Sequence, residues 1–251
     1  MELSFDEMER YKRNICVKEI GIEGQMALKK AKILVAGCGG LGSPAALYLA
    51  AAGLGHIGLV DADKVDLSNL QRQILHAESS LGMSKAKSAE KRLLSLNHEI
   101  EVKVYDTFLN LDNFKEIAGD YDFILDCTDS YASKFIISDG SCLINKPFCH
   151  GAVVRFQGQV MTCIPGISPC YRCIFDELEG SDDLPSPSKL GVVGASCGII
   201  GSIQALEAIK YITHTGDLLT NSLLTFDGLT MSFKKLKLPK RNPMCKACGH
   251  L

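Results

Sequence analysis

Short apolar runs alternate with helix-forming segments along the first part of the chain. Four runs have the length and the Val, Ile, Leu or aromatic content of a strand: 32–36, 57–61, 101–105 and 122–126. The segments predicted to be helices lie between and after them: 43–52, 85–96, 114–118 and 132–145. Such an alternation predicts βαβ units, which build a parallel sheet covered by helices.

Both ends of the chain follow other patterns. Residues 4–30 predict two short helices, and 192–212 predict a long apolar helix. In that helix we expect Gly194, Gly198 and Gly201 to permit close packing. Two pairs of neighbouring strands are also predicted: 148–154 with 159–164, and 223–226 with 231–238. The predicted fold class is therefore α/β, with a Rossmann-like, mostly parallel sheet, N-terminal helices and a C-terminal antiparallel hairpin.

The overall composition is that of an ordinary globular chain. Hydrophobic residues make up 46% and charged residues 22% of the 251 residues, which allows a sizeable core. The formal net charge of -2 gives no general attraction to nucleic acid or to an anionic membrane. No run of about 18 apolar residues predicts a spanning helix, and the polar N-terminus lacks the apolar core of a signal peptide. We expect a cytoplasmic protein that binds neither nucleic acid nor membranes.

A glycine-rich segment follows the first predicted strand and precedes a predicted helix. Its members are Gly37, Gly39, Gly40, Leu41 and Gly42, and the glycines match G-x-G-x-x-G. In this setting glycines let the backbone approach phosphates, and the helix N-terminus supplies N–H donors. An acidic residue, Asp61, ends the next strand. The segment therefore predicts a nucleotide site, but it suits NAD as well as ATP.

Charged and polar residues beyond the glycine-rich segment favour ATP. Asp61 and Asp63 follow the second predicted strand, and Asp129 follows a later buried strand, where open sheets bind ligands. Cations hold phosphates and a carboxylate holds Mg²⁺, whereas a nicotinamide site needs fewer charges. The predicted ligand-binding residues are Ser68, Asn69, Gln71, Arg72, Lys85 and Asp129.

The cysteines point to zinc. The chain has 11 of them, and an odd number argues against a fully paired disulfide framework. Cys170 and Cys173 form one C-x-x-C pair, and Cys245 and Cys248 form another. Two such pairs can close a tetrahedral Cys₄ site around Zn²⁺. We therefore predict a structural zinc that attaches the C-terminal tail to the body of the protein.

Together these motifs resemble those of the ThiF, MoeB and HesA family, bacterial relatives of ubiquitin-activating enzymes. The resemblance runs from about Phe5 to Gly249. It rests on segments 10–13, 37–42, 61–63, 68–73, 85–86 and 126–129 and on the two cysteine pairs. It implies ATP-dependent adenylation of a small ubiquitin-like sulfur-carrier protein at its Gly-Gly C-terminus, as in thiamin or molybdopterin biosynthesis. The acyl-adenylate would then accept sulfur.

The resemblance also implies roles for single residues. Asp61 would hold the ribose, and Asp129 would bind Mg²⁺. The phosphates would contact Asn69, Arg72 and Lys85. Positioning and charge neutralisation would supply the rate, since the protein has little covalent work to do.

At the level of the whole chain, the resemblance implies one ThiF-type domain over residues 1–251 that works as a homodimer. Arg13 would reach into the partner subunit's site. The expected parts are N-terminal helices at 1–30, a nucleotide-binding core at 31–165, a cysteine pair with a crossover loop at 170–191, and a helix, hairpin and zinc tail at 192–251. The loop at 176–191, rich in Glu, Asp, Ser, Pro and Gly, is expected to be mobile.

The chain departs from the family pattern at a few positions. Pro187 stands where the family often has a cysteine that takes part in sulfur transfer, and 184–190 contain no cysteine. We therefore expect no covalent bond to the carrier there, and sulfur delivered by a separate donor or as sulfide. Cys197 lies nearby in sequence but is expected to be buried. Ser130 and Lys134 stand where Asn and Arg are common.

Two other interpretations stay open. An NAD-dependent oxidoreductase would explain the glycine-rich segment, but not the polar run at 68–73, Asp129 or the paired cysteines. A family member could instead modify a small molecule, a peptide or tRNA, or serve as a scaffold.

Overall fold

The computed structural model describes residues 2–175 and 190–251. The helices are α1 (Phe5–Arg10), α2 (Lys12–Ile15), α3 (Gly21–Lys30), α4 (Gly42–Ala51), α5 (Lys85–Leu96), α6 (Leu111–Ala118), α7 (Tyr131–Leu143) and α8 (Gly194–Thr213). The strands are β1 (Lys32–Ala36), β2 (His56–Val60), β3 (Glu101–Tyr105), β4 (Phe123–Asp126), β5 (Phe148–Val154), β6 (Gln157–Cys163), β7 (Ser222–Asp227) and β8 (Ser232–Lys237). Short 3₁₀ helices cover Leu67–Asn69, Glu78–Ser80 and Tyr171–Cys173.

The described strands form an eight-stranded sheet in the order β3-β2-β1-β4-β5-β6-β7-β8. Strands β1 to β5 pair in parallel, and β5 to β8 pair antiparallel. The predicted α/β class, with a mostly parallel sheet and antiparallel C-terminal strands, is confirmed. The strand order reverses between β1 and β4, since the chain moves outward to β3 and then returns on the other side of β1. Open sheets bind ligands at such a point, outside the carboxyl ends of the strands.

Helices cover both faces of the sheet. One face packs against α3, α4, α5 and α8, and the other against α6, α7 and the C-terminal tail. Because β1, β2 and β4 are covered on both sides, their sequences are continuous apolar runs and do not alternate. The core therefore consists of two layers that meet at the sheet.

Apart from small shifts at the ends of elements, the structure differs from the predicted elements at two places. The N-terminal segment folds as α1, α2 and α3 instead of two helices, with Tyr11 between the first two. The long helix α8 begins at Gly194, and Val193 before it is extended. The reason is a backbone ladder, in which Arg155 donates its N–H to Gly191 O at 2.8 Å and accepts from Val193 N at 3.0 Å.

Some predictions fall where the structure is not described. Residues 176–189 include Pro187 and most of the stretch predicted to be a mobile loop, and they lie outside the described residues. In the ranges that the structure covers, no helix combines the length and the apolar character needed to cross a membrane.

Candidate nucleotide and metal sites

A cavity of about 460 Å³ opens at the carboxyl ends of β1, β2 and β4. This is the point at which the strand order reverses. The structure brings most of the predicted site residues to its wall: Gly37, Gly39, Gly40, Leu41, Asp61, Asp63, Ser68, Gln71, Arg72, Lys85 and Asp129. Three predicted residues, Arg13, Gly42 and Asn69, are not among the described residues that line it.

The glycine loop between β1 and α4 is tightly folded. Gly37 has a φ of +97°, which L side chains rarely adopt, and a Cβ there would lie 2.7 Å from Cys127 O. A Cβ on Gly42 would collide with the carbonyl of Gly37. Gly42 is thus needed to close the loop, whereas Gly39 and Gly40 face the cavity.

The two acidic residues after β2, Asp61 and Asp63, already have partners within the protein. Asp61 accepts backbone hydrogen bonds from Cys38 and Asp63, both at 2.8 Å. Burial raises the pKa of Asp61, and these N–H donors act against the rise. Asp63 forms an ion pair with Lys85 at 2.8 Å, and the Lys85 residue is only 7% exposed. The pair places one cation and one carboxylate on the same wall of the cavity.

The polar run at 68–73 is organised by a 3₁₀ turn. Asn69 Oδ1 accepts the backbone N–H of Asp66 at 3.1 Å and so caps the turn, which explains its absence from the cavity wall. Arg72 folds back to donate to Ser68 O at 3.1 Å. The turn therefore presents Ser68, Gln71 and Arg72 to the cavity.

The opposite wall is formed by the end of β4. Asp129 is exposed and lines the cavity, and within the described residues its carboxylate has no hydrogen bond or ion pair. Lys134 lies behind it and donates to Thr128 O at 2.8 Å, Gly151 O at 2.7 Å and Asp126 Oδ2 at 3.3 Å. Its ammonium has three hydrogens, so Lys134 is fully used as a cross-link between backbone segments.

Other lining residues were not identified from the sequence. Gln73 is 4% exposed, and among the described residues its Oε1 has no hydrogen-bond partner. The segment after β3 contributes Thr107, Phe108 and Leu109. The position of Gln73 in the polar run could have indicated a residue of the site, whereas no sequence motif indicates that the segment after β3 lines the cavity.

Cys197 is buried, as expected, but it also lines the cavity. A Cβ on Gly40 would lie 2.9 Å from its Sγ. Burial raises the pKa of Cys197 to about 11, although Arg72 acts in the opposite direction. The thiol is therefore protonated at neutral pH and is a poor nucleophile.

The four predicted zinc ligands form one cluster. Their Sγ atoms all lie within 4.8 Å of one another, with separations of 3.8 Å for Cys170–Cys173, 3.6 Å for Cys170–Cys245 and 3.5 Å for Cys173–Cys248. Tetrahedral Zn–S bonds of about 2.3 Å would place sulfurs about 3.8 Å apart. The donor set and the spacing therefore fit a zinc ion.

The family model described as the ThiF family matches residues 11–247. The chain belongs to the ThiF family. Among curated relatives of this ThiF-family chain, the adenylyltransferase and sulfurtransferase MOCS3 of Culex quinquefasciatus is 43% identical over 99% of this chain and 57% of the relative. The MOCS3 protein of Drosophila persimilis is 41% identical over 99% of this chain and 55% of the relative. The chain thus spans little more than half of these relatives.

Solved structures support the same fold. Escherichia coli MccB with ATP has a TM-score of 0.85 at 24% identity and covers 96% of this chain and 73% of that chain. PaaA has a TM-score of 0.80 at 23% identity and covers 94% of this chain and 75% of that chain. At these identities the likeness concerns the fold alone.

Proposed function

We propose that this chain catalyses the ATP-dependent adenylation of the C-terminal glycine of a small ubiquitin-like sulfur-carrier protein. The observation that carries the proposal is the cavity at the strand-order reversal, which has a glycine loop at its base and charged side chains on two walls. The similarity to MOCS3 proteins over 99% of this chain supports adenylyl transfer as the reaction. A thiamin-type or a molybdopterin-type carrier would be the substrate.

In the proposed reaction the carrier's terminal carboxylate attacks the α-phosphorus of ATP. The new C–O–P linkage is an acyl-adenylate, and pyrophosphate leaves with the electrons of the broken P–O bond. The N–H groups of the glycine loop would hold phosphate oxygens, and Asp61 would accept hydrogen bonds from the ribose. Arg72 and Lys85 would neutralise charge that builds on the phosphates. When bound, Mg²⁺ would supply further charge neutralisation, with Asp129 as its protein ligand.

The sulfur would come from a separate donor, because Pro187 stands where a transfer cysteine would be needed.

A cytoplasmic location is part of the proposal. All 11 cysteines are free thiols, four of them in a cluster that fits zinc, as expected in a reducing compartment. The family membership gives no support to the NAD-dependent alternative.

The test is ATP–pyrophosphate exchange with and without a panel of carrier proteins that end in Gly-Gly. We expect exchange with one carrier, and a loss of about 10²–10³-fold in rate for Arg72→Ala and for Asp129→Ala. Arg92→Ala and Asp120→Ala remove exposed charges away from the cavity and serve as matched controls. Full activity of a cavity variant would refute the role of that residue. If none of the carriers supports exchange, in protein that binds ATP, the result would point to a peptide or other small substrate.

We further propose that the protein acts as a homodimer in which Arg13 completes the partner's site. Arg13 is exposed on α2 and is not among the described residues that line its own cavity. Arg13→Ala and Asp129→Ala proteins should each be inactive, and mixing them should restore about a quarter of the activity if each active site uses one residue from each subunit. No recovery at any mixing ratio would contradict action across the interface.

A further inference from the structure

A buried polar network around Asp126 lies directly behind the turn that carries Asp129. Asp126 is 1% exposed and ends β4. One carboxylate oxygen, Oδ1, accepts from Thr128 Oγ1 at 2.6 Å and from Thr128 N at 3.2 Å. The other, Oδ2, lies 2.9 Å from His150 Nδ1 and 3.3 Å from Lys134 Nζ. The carboxylate thus joins the turn at 128–129 to the neighbouring strand β5.

The protonation states in this network follow from its surroundings. Burial acts to raise the pKa of Asp126, but the charge of Lys134 and the hydrogen bond from His150 outweigh it and hold the pKa at about 2. Burial lowers the pKa of His150, so its ring is neutral. Because Asp126 is an anion and only accepts hydrogen bonds, the single ring hydrogen must be on Nδ1. His150 Nε2 is then an acceptor, and Gln159 Nε2 lies 3.3 Å away.

The ring of His150 is held in place from several sides. It is fully buried, and the rings of Tyr171 and Phe175 pack against it with centroid distances of 4.8 and 6.1 Å. Gln204 of α8 donates to Asp126 O at 2.8 Å and to Cys149 O at 3.1 Å, which locks β4 against β5. The donor on Nδ1 therefore faces the carboxylate in a fixed direction.

We propose that His150 is a positioning residue for nucleotide activation: its hydrogen bond orients Asp126, and Asp126 in turn holds the Thr128–Asp129 turn so that Asp129 faces the cavity. Without the Nδ1–H donor of His150, the Asp126 carboxylate still contacts Lys134 but is no longer held in one orientation. Thr128, which donates to this carboxylate, is then no longer held in place. His150 itself is not among the described residues that line the cavity. The inference rests on the proposed function only in taking the ligand to be Mg²⁺ with ATP.

The test compares two substitutions at one position. His150→Asn retains an N–H donor near the place of Nδ1, whereas His150→Leu has similar size and no donor. We expect His150→Leu to raise the KM for Mg²⁺-ATP in pyrophosphate exchange by about tenfold or more, with zinc content retained, and His150→Asn to stay close to wild type. The Kd for Mg²⁺-ATP, measured by calorimetry, should change in parallel with KM.

A matched control removes another buried hydrogen bond to a carboxylate. Thr162 Oγ1 donates to Glu207 Oε2 at 2.6 Å, and neither residue is among those lining the cavity. Thr162→Val should lower the melting temperature without changing the KM or Kd for Mg²⁺-ATP. A purely structural role for His150 would give the same result as this control, and that outcome would overturn the proposal. Equal effects of Asn and Leu at position 150 would also overturn it.

A second variant covers the case in which His150→Leu does not fold. Thr128→Val replaces the hydroxyl that donates to Asp126 with a methyl group, at a partly exposed position on the cavity wall. It should raise the same KM and Kd, and unchanged values would contradict the proposal. Failure of the proposed function can be distinguished from failure of this inference. Wild-type protein that binds Mg²⁺-ATP but activates no carrier would refute the proposed function. The comparison of Kd values for Mg²⁺-ATP would still decide the role of His150.

Discussion

At the scale of single residues, Gln73 shows how the cavity is prepared for a ligand. Its side chain is nearly buried, and Oε1 has no hydrogen-bond partner in the part of the chain that the structure describes. A Cβ on Gly39 would lie 3.5 Å from Nε2, so the amide nitrogen lies beside the glycine loop. A buried polar group without a partner costs about 1–3 kcal/mol. Such a cost is tolerated at functional sites, where a bound ligand can supply the missing partner.

Replacing Gln73 should therefore separate stability from binding. Gln73→Leu removes the unsatisfied amide at similar volume, so we expect an unchanged or higher melting temperature. The same change removes the Nε2 donor beside the glycine loop, where we propose that the phosphates bind, and the Kd for ATP should rise by about tenfold. Calorimetric ATP titration and thermal melting of the same preparations provide the comparison. Unchanged ATP affinity would show that the amide has no part in binding.

At the scale of elements, helix α8 and the glycine loop are fitted to each other. A Cβ on Gly201 would collide with the carbonyl of Leu41 and lie 2.6 Å from Pro44 Cγ, and one on Gly194 would lie 2.5 Å from Gln71 O. The predicted close packing is thus present at these two glycines. It is absent at Gly198, where a Cβ would meet no atom of the described residues within 4 Å. The helix faces the cavity-forming loops at the two glycines and turns away at the third.

Alanine at two of these positions should have opposite effects. Gly198→Ala should stabilise the protein by about 0.5–1 kcal/mol, because alanine loses less backbone entropy in a helix. Gly201→Ala should destabilise it by about 1–3 kcal/mol through overpacking against the glycine loop, and should weaken ATP binding as well. Urea unfolding of both variants measures the difference. A destabilised Gly198→Ala would indicate that a further surface, such as a second subunit, packs there.

At the scale of the whole molecule, the cysteine cluster joins the end of the chain to the sheet. Cys170 and Cys245 are 75 residues apart, and their Sγ atoms lie 3.6 Å apart. The cluster packs on the same face of the sheet as α6 and α7. A metal at this position would stabilise the folded state, because the four thiols come together only in the folded chain and the free energy of metal binding therefore adds to that of folding.

Loss of the metal should release the C-terminal tail without unfolding the sheet. We expect Cys245→Ser combined with Cys248→Ser to abolish zinc binding and to make the segment after β8 sensitive to proteases, with the strands still folded. Metal analysis, limited proteolysis and circular dichroism test this. Cys16→Ser, which changes an exposed cysteine outside the cluster, is the control. Full zinc content in the double variant would contradict the assignment of the ligands.

The features that could be read from the sequence are those that depend on short-range spacing. Strands β1 and β3 were predicted at their observed bounds, and β4 within one residue. Strands β1 and β4 are buried on both faces and leave continuous apolar runs, whereas the edge strand β3 is less buried and was recognised from its β-forming residues. The C-x-x-C spacing fixes which thiols can bind one metal, and the glycine pattern fixes where the backbone can bend tightly.

Other features depend on contacts between distant segments, and only the folded chain could decide them. Asn69 and Gln73 belong to the same polar run, but the 3₁₀ turn uses Asn69 as a cap and directs Gln73 to the cavity. Val193 is apolar like the helix that follows, but pairing with Arg155 keeps it extended. His150 lies 24 residues beyond Asp126 and meets it only because β4 and β5 are neighbours in the sheet. Hydrophobic periodicity specifies elements and faces, whereas side-chain direction in turns and partners across strands follow from tertiary packing.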